Sequence, residues 1–465
     1  MPSPVPFPMP PKPLALTTDP IRQLTWRIAV PTSVGMFFQT MFNFVDTYFA
    51  GQLHTDALAA LSLSFPVFFL LIAVGSGLAQ GGTALIANSL GSGDTVGARR
   101  IFTQSILLAS ASGILLTVIG QLAAPTLFRW LGAEGRYLEM TLSYMRVILG
   151  GGVFFLLTMA VNAGLSAQGD TRPYRNFLIV GFLVNCALNP LLMWGFGPLP
   201  PFGVAGIATA TILVQMGGLV WLWNRVQKTP IAEKITPTCW LPHLPTLRQI
   251  AGQSIPAALN MLTIAAGIFV MTWYVKSFGK EAVAAIGIAT RIEQIVLMPV
   301  IGLGSAMLSI VGQNHGAGLP HRVREAWITN IIQGIVLMIF GGILLAVFGP
   351  HLVGFFSKDP AVLAHGQHYL LVSALTLGAY PILFVTVFLM QGMKRPAYGL
   401  WIGIYRQIAA PILVYHVLAF TLGWGTWGIW WGVAIVTWSA ALFALWWGWR
   451  TVSGTYVRGS AGLIT

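Results

Sequence analysis

Apolar stretches long enough to cross a bilayer recur from one end of this sequence to the other. No other feature limits the fold so tightly. Of the 465 residues, 56% are hydrophobic and 8% are charged, and mean hydropathy is +0.76. A water-soluble domain carries roughly 25% charged residues to cover its surface. The apolar runs are continuous rather than alternating, so the spanning element is a helix, which satisfies every backbone hydrogen bond within itself. The expected fold is an all-α membrane protein of twelve transmembrane helices, over 24–50, 59–83, 101–128, 138–164, 174–196, 203–226, 250–277, 283–311, 328–350, 366–391, 398–420 and 427–449.

An even number of spans places both termini on one side, and the basic residues say which. Loops on the side of the N-terminus hold Arg99, Arg100, Arg172, Arg175, Lys228, Lys234, Arg248, Arg322, Arg324, Lys394 and Arg395. The opposite loops and ends hold Arg129, Arg136, Lys276, Lys280 and Lys358. The positive-inside rule then makes both termini cytoplasmic in a cell inner (plasma) membrane. The same rule accounts for the net charge of +13, and no basic and aromatic residues interleave on a soluble domain, so nucleic acid is not an expected partner. The proline-rich opening "MPSPVPFPMPPKP" cannot form an apolar helix and carries no cleavable signal. Residues 1–23 are expected to be a disordered cytoplasmic tail and 450–465 a second one.

The chain contains a copy of itself. Shifted by 225 positions without a gap, Pro31 falls on Pro256, Met36 on Met261, Phe44 and Val45 on Phe269 and Val270, and Thr47 on Thr272. Gly77 and Leu78 meet Gly302 and Leu303, Gly91 and Gly93 meet Gly316 and Gly318, and Tyr144 meets Tyr369. Chance matches are common among apolar sequences; an unbroken register is not. Each repeat holds six spans, so the two share an orientation. The implied plan is two pseudo-symmetric six-helix bundles, an N-lobe over 24–226 and a C-lobe over 250–449, joined by a polar, proline-broken cytoplasmic linker over 227–249. Two bundles that rock against each other expose a central cavity to each side in turn.

Two acids lie well inside the expected spans, away from their ends, Asp46 and Glu293. A charged aspartate at the bilayer centre costs roughly 2.5–3.5 kcal/mol, and protonation removes most of that cost. The bland alternative is that Asp46, late in its span, is an interfacial residue hydrated from outside. Asp46 falls on Met271 in the repeat, so the shared architecture does not demand it. Asn43 shares its helical face, Asn185 and Asn189 share a face of the fifth span, and Thr209, Thr211 and Tyr144 add oxygens. These could surround a proton or a small cation, or could simply join helices by hydrogen bonds worth about 0.6 kcal/mol each. Glu293 follows Arg291 at a spacing that points the two apart. It either pairs structurally, with Arg406 the candidate, or takes an ion or substrate role. Gln39, Asn43, Glu293 and Arg291 are the candidates for lining a substrate cavity. No P-loop, nucleophile elbow or HExxH motif occurs, so neither ATP drive nor an embedded hydrolase is expected. His365 and His368 share a face without a third metal ligand.

The stretches "IAVPTSVGMFFQTMFNFVDTYFAGQL" and "ALAALSLSFPVFFLLIAVGSGLAQGGTALIANSLGSGD", with "SAQGDTRP" after the fourth span and "QGMKRP" after the tenth, resemble the multidrug and toxic compound extrusion (MATE) family over nearly the whole chain. The resemblance implies an antiporter, not an enzyme, that exports organic cations, drugs or amphiphilic metabolites against a proton or sodium gradient through a V-shaped cavity between two lobes. It implies a monomer in membrane lipid, with no cofactor and with Na+ as the alternative coupling ion. By the same resemblance Asp46 matches the first-span aspartate of cation coupling, and Tyr144, Asn185 and Thr211 match the polar network around it in the DinF-like branch; with Asn189 they make up the expected cation-coupling set. Asn189 departs from that branch, where the position is often aspartate, and the acids of spans 7 and 10 in the NorM-like branch are missing. Fewer charged oxygens weaken sodium binding, so the proton is the expected coupling ion. A flippase for a lipid-linked precursor is the alternative. It would need Arg146, Arg291 and Arg406 to line the cavity together and hold pyrophosphate.

Overall fold

The computed structural model describes residues 15–198 and 200–461, and is nearly all helix. The N-lobe comprises α1 (Ile21–Leu53), α2 (Thr55–Gly91), α3 (Thr95–Trp130), α4 (Gly135–Ala167), α5 (Arg172–Trp194) and α6 (Val204–Val226). The C-lobe comprises α7 (Leu244–Val275), α8 (Lys280–Gly316), α9 (Pro320–Phe356), α10 (Pro360–Thr376), α11 (Ala379–Gly392), α12 (Ala397–Ile404), α13 (Ala410–His416) and α14 (Thr426–Ala461). Short π-helical segments, Tyr405–Ala409 and Val417–Thr421, join α12 to α13 and close α13. Large apolar side chains on outer faces remain exposed, as in the α3 stripe of Ile114, Val118 and Leu122. That is the surface lipid covers.

The tenth span is not the continuous helix expected over 366–391. Its two arms, α10 and α11, meet at a bend of 55°. Counted as one span, they complete the set of twelve among the described residues. Pro381 has no N–H to give Leu377, and Gly378 sits at the break, so the ladder fails there. Hydropathy continues through the bend, which is why a window average misses it.

The tails also differ from expectation. Residues 1–14 and 462–465 lie outside the described residues, but 15–20 form an ordered turn in which Leu16 is buried. The Leu16 carbonyl accepts from Asn314 Nδ2 at 3.0 Å, and the Asp19 carbonyl accepts from Arg322 at 2.7 Å. At the other end α14 continues to Ala461.

The two lobes interlock at the end of the molecule that carries the termini. Leu16, Ile21, Leu24 and Ile28 share a core with Leu303, Met307, Trp327 and Leu389 of the C-lobe. Reciprocally, Ile250 of α7 packs into the N-lobe core. The remaining halves belong to separate cores, the N-lobe around Phe128, Ile148 and Phe155 and the C-lobe around Ile286, Met338 and Trp430. Two seam bonds obey the 225-residue register: Asn88 Nδ2 donates to the Gly392 carbonyl at 2.8 Å, and Gln313 Nε2 to the Ala167 carbonyl at 2.8 Å. Ser309 Oγ adds a bond to the Ser166 carbonyl at 2.6 Å.

The linker is held to the N-lobe rather than loose. Thr103 Oγ1 and Gln104 Nε2 donate to the Cys239 carbonyl at 2.8 and 3.0 Å, Gln104 Nε2 reaches the Leu241 carbonyl at 2.9 Å, and its Oε1 accepts from the His243 backbone N–H at 2.9 Å. Gln104 is fully buried. Gln104→Leu strands these groups, and removing partners from buried polar atoms costs about 1–3 kcal/mol. The expected outcome is a lower melting temperature in detergent and faster proteolysis between 227 and 243, measured by differential scanning fluorimetry and limited trypsin digestion.

Candidate functional site

Asp46 sits in the C-terminal half of α1, seven residues before the helix ends at Leu53. Its side chain faces inward and is 6% exposed, which places it neither against lipid nor in the aqueous rim. Asn189 Nδ2 donates to Asp46 Oδ1 at 2.8 Å, and Thr211 Oγ1 donates to Asp46 Oδ2 at 3.0 Å. The carboxylate therefore ties α1 to α5 and α6. Asn189 Nδ2 uses its second hydrogen on Asn185 Oδ1 at 3.0 Å, four residues back on the same face. Tyr144 of α4 is buried within electrostatic reach of the carboxylate. Thus α1, α4, α5 and α6 deliver the expected five residues to one place.

Thr211 has one hydroxyl proton and two acceptors in range, Asp46 Oδ2 at 3.0 Å and the Ile207 carbonyl at 3.1 Å. An ionised Asp46 outcompetes a carbonyl for that proton, because charge-assisted bonds are roughly twice as strong. A protonated Asp46 does not. The hydroxyl is a two-position element whose setting follows the charge. Asn185 Nδ2 and Asn189 Oδ1 are buried without a partner among the described residues. Each is spare polar capacity beside the carboxylate.

Around Pro31 side-chain hydroxyls add bonds to the backbone carbonyls of the turn before it. The Ile28 carbonyl accepts from Thr32 Oγ1 at 2.8 Å and from Thr171 Oγ1 at 3.1 Å, while Ser33 Oγ donates to the Ala29 carbonyl at 2.9 Å. A proline defect and its hydroxyls therefore lie between the seam half of α1 and the half that carries Asp46.

The expected cavity residues do not form one cluster. Gln39 and Asn43 lie on the Asp46 stripe of α1, both half-buried. Arg291 is exposed. Glu293 is 6% exposed and has no cation within salt-bridge distance among the described residues, which corrects the expected pair with Arg406. Its carboxylate accepts from Tyr369, Ser373 and Tyr380 instead, and Arg406 lies over the Tyr380 ring, 5.5 Å from its centroid. Sequence reasoning missed these hydroxyls because they lie 76–87 residues away. The one available signal was Tyr369, the register partner of Tyr144.

Two interlocked, register-related bundles of membrane-spanning helices, with a buried carboxylate bonded within one of them, are the architecture of a membrane transporter. The MatE family model matches residues 31–191 and again 256–416, two stretches that start and end 225 residues apart, in the register of the internal repeat. The chain belongs to the MatE family. It is similar to a FAD transporter of Shewanella oneidensis, 29% identical over 401 residues that cover 84% of this chain and 87% of that one. It is also similar to the multidrug export protein MepA of Staphylococcus aureus, 23% identical over 431 residues, 92% and 93% of the two chains. A solved structure described as the outward-facing conformation of a multidrug resistance MATE transporter matches with TM-score 0.89 and 25% identity, covering 96% of this chain and 99% of that one. The protein is a multi-pass membrane transporter of small molecules and not an enzyme.

Proposed function

We propose that this transporter is a proton-coupled antiporter that exports organic cations, drugs or amphiphilic metabolites by alternating access, with Asp46 as the coupling group. The observation that carries this reading is the buried Asp46 carboxylate, bonded to α5 and α6 through Asn189 and Thr211. With both termini in the cytoplasm, as the basic loops require, the interlocked seam is a closed cytoplasmic gate and the structure is outward-facing. A proton arriving from outside neutralises Asp46, Thr211 turns to the Ile207 carbonyl, and the outer half of α1 loses its ties. The defect at Pro31 lets that half shift while the seam half stays packed. Substrate leaves outward; the proton leaves once the cavity opens inward.

The donor set favours the proton over sodium. An amide N–H and a hydroxyl point at Asp46, whereas a sodium ion needs oxygens turned toward it and prefers more than one charged ligand. Asn189 then holds the carboxylate in place, Asn185 fixes the Asn189 amide, and Tyr144 is buried beside them. The flippase reading is not favoured, because its three arginines do not gather. Arg146 is exposed on the N-lobe, Arg291 is exposed on the C-lobe, and Arg406 is engaged at Tyr380.

The test is transport into everted vesicles with proton and sodium gradients imposed separately, using a fluorescent organic cation and FAD as alternative cargos. The expected result is cation accumulation driven by the proton gradient alone. Accumulation that follows sodium alone would reverse the choice of ion, and FAD as the sole cargo would reverse the choice of substrate.

A further inference from the structure

Glu293 and its partners lie on both sides of the break in the tenth span. Ser373 Oγ and Tyr369 Oη, on α10, donate to Oε1 at 2.8 Å and Oε2 at 2.7 Å. Tyr380 Oη, on α11 beyond the bend, donates to Oε1 at 3.2 Å. One carboxylate on α8 therefore holds the two arms of a helix bent by 55°. The site is built rather than incidental. Tyr369, Ser373 and Tyr380 are all at least nine-tenths buried, and Trp430 closes it edge-on against Tyr369 at 5.4 Å.

The titratable and charged groups facing Glu293 are Tyr369 from α10, Tyr380 from α11, Tyr415 from α13 and Arg406 from the π-helical segment. α9 packs on α8 through Met338 and Leu345, and α14 contributes Trp430. Arg291, two residues along α8, is exposed. Arg406 reaches Glu293 through the Tyr380 ring rather than by an ion pair. A buried carboxylate without a paired cation costs several kcal/mol unless hydrogen bonds or a proton offset its charge. Three hydroxyls suit the anion, since an ionised carboxylate accepts on both oxygens and donates on neither. A proton on either oxygen turns three charge-assisted bonds into weaker neutral ones and adds a fourth O–H donor to a site whose three partners already point their own O–H groups inward.

We propose that Glu293 is a second proton-binding site, in the C-lobe, and that its proton unfastens the clasp that holds the bend between α10 and α11. The anion joins the two arms; the neutral acid releases Tyr380, whose bond at 3.2 Å is the longest of the three, and α11 swings toward the line of α10. The site differs from the N-lobe carboxylate in construction. Asp46 ties one helix to two others, whereas Glu293 sets the shape of a single span. The proposal does not rest on the coupling role of Asp46, and its readout is a distance rather than transport.

The experiment places spin labels at Ala361 and Arg395, exposed at the two ends of the tenth span, in the full-length protein in lipid nanodiscs, with Cys186 and Cys239 replaced by serine. At 1.5 Å per residue, full straightening of a 55° bend in the middle of the span lengthens it by about 6 Å, and half of that straightening by about 3 Å or more. In the unsubstituted clasp the distance is expected to be short in alkaline buffer and to shift longer in acid. Glu293→Gln and Tyr380→Phe are each expected to give the longer distance at every pH, and Asp46→Asn to titrate as the parent does. A parent distance that ignores pH overturns the proposal. So does an acid shift that survives Glu293→Gln, or one that disappears in Asp46→Asn. Failure of Asp46→Asn to alter transport leaves these distances untouched, so the two readings fail separately.

Discussion

Asp46→Asn is expected to reduce proton-driven export to less than about 1% of the parent rate while the protein remains folded, because a gradient moves a conformational equilibrium only through a group that binds the ion differently in the two states. The side chains are nearly isosteric. An asparagine oxygen can still accept from Asn189 Nδ2, and its amide can donate to Thr211, whose proton then goes to the Ile207 carbonyl, already 3.1 Å away. Two charge-assisted bonds become neutral ones, a loss of about 1 kcal/mol each. The substitution also removes a buried charge whose membrane cost is roughly 2.5–3.5 kcal/mol. These terms are close to equal, so stability changes little and the transport loss cannot be blamed on unfolding. Facilitated, gradient-independent exchange of substrate is expected to persist, since the lobes still rearrange. The measurement is vesicle uptake with a proton gradient beside equilibrium exchange without one. Gradient-driven uptake at the parent rate would remove Asp46 from the coupling step.

Much of this architecture can be read from the residues, and the reason is physical. Bilayer thickness sets helix length, so continuous apolar runs mark the spans, and the register between Pro31 and Pro256 marks the repeat. That register proves to be three-dimensional. Asn88 and Gln313 are register partners, as are Ala167 and Gly392, and the structure joins them crosswise. The N-lobe site was also open to inspection, because Asn185 and Asn189 share one helical face and a buried acid needs donors. What could not be read depends on contacts between distant segments. Nothing local to Glu293 points to Tyr369, Ser373 or Tyr380, and Arg291 is a distraction at the wrong helical angle. The burial of Leu16 and the seam half of α1 in the C-lobe core is equally invisible, because an apolar helix face reads the same whichever lobe covers it. The bend at Gly378 leaves a trace only in Pro381.

The crosswise register leads to the second large effect, at the crossings of α2 with α7 and of α8 with α1. A Cβ at Gly77 would stand 2.6 Å from the Ser254 carbonyl oxygen, and one at Gly302 would stand 2.6 Å from the Ala29 carbonyl oxygen. Gly77 and Gly302 are register partners, and so are Ala29 and Ser254, so one small-residue contact is used twice across the seam. The obstacle is helix backbone in both cases, which cannot turn aside as a side chain can. Gly77→Leu and Gly302→Leu each overpack the closed seam by roughly 1–3 kcal/mol. The two sites share no partner, so their effects should add, and each 1.4 kcal/mol shifts the open-to-closed ratio by a factor of about ten. The pair together is expected to open the end of the molecule that carries the termini and to stop transport, because a protein confined to one orientation cannot cycle. Ser166 is 9% exposed and its carbonyl accepts from Ser309 across this seam, so a Ser166→Cys thiol reports directly on the opening. Maleimide labelling from the terminal side should rise by more than about tenfold in the double variant and by less in each single one. The glycines open the seam only by steric pressure on a closed state, so Gly77→Ala should have a milder effect than Gly77→Leu in the same assay. Unchanged labelling together with normal export in the double variant would mean that this crossing is not the gate, and that the lobes separate along some other line.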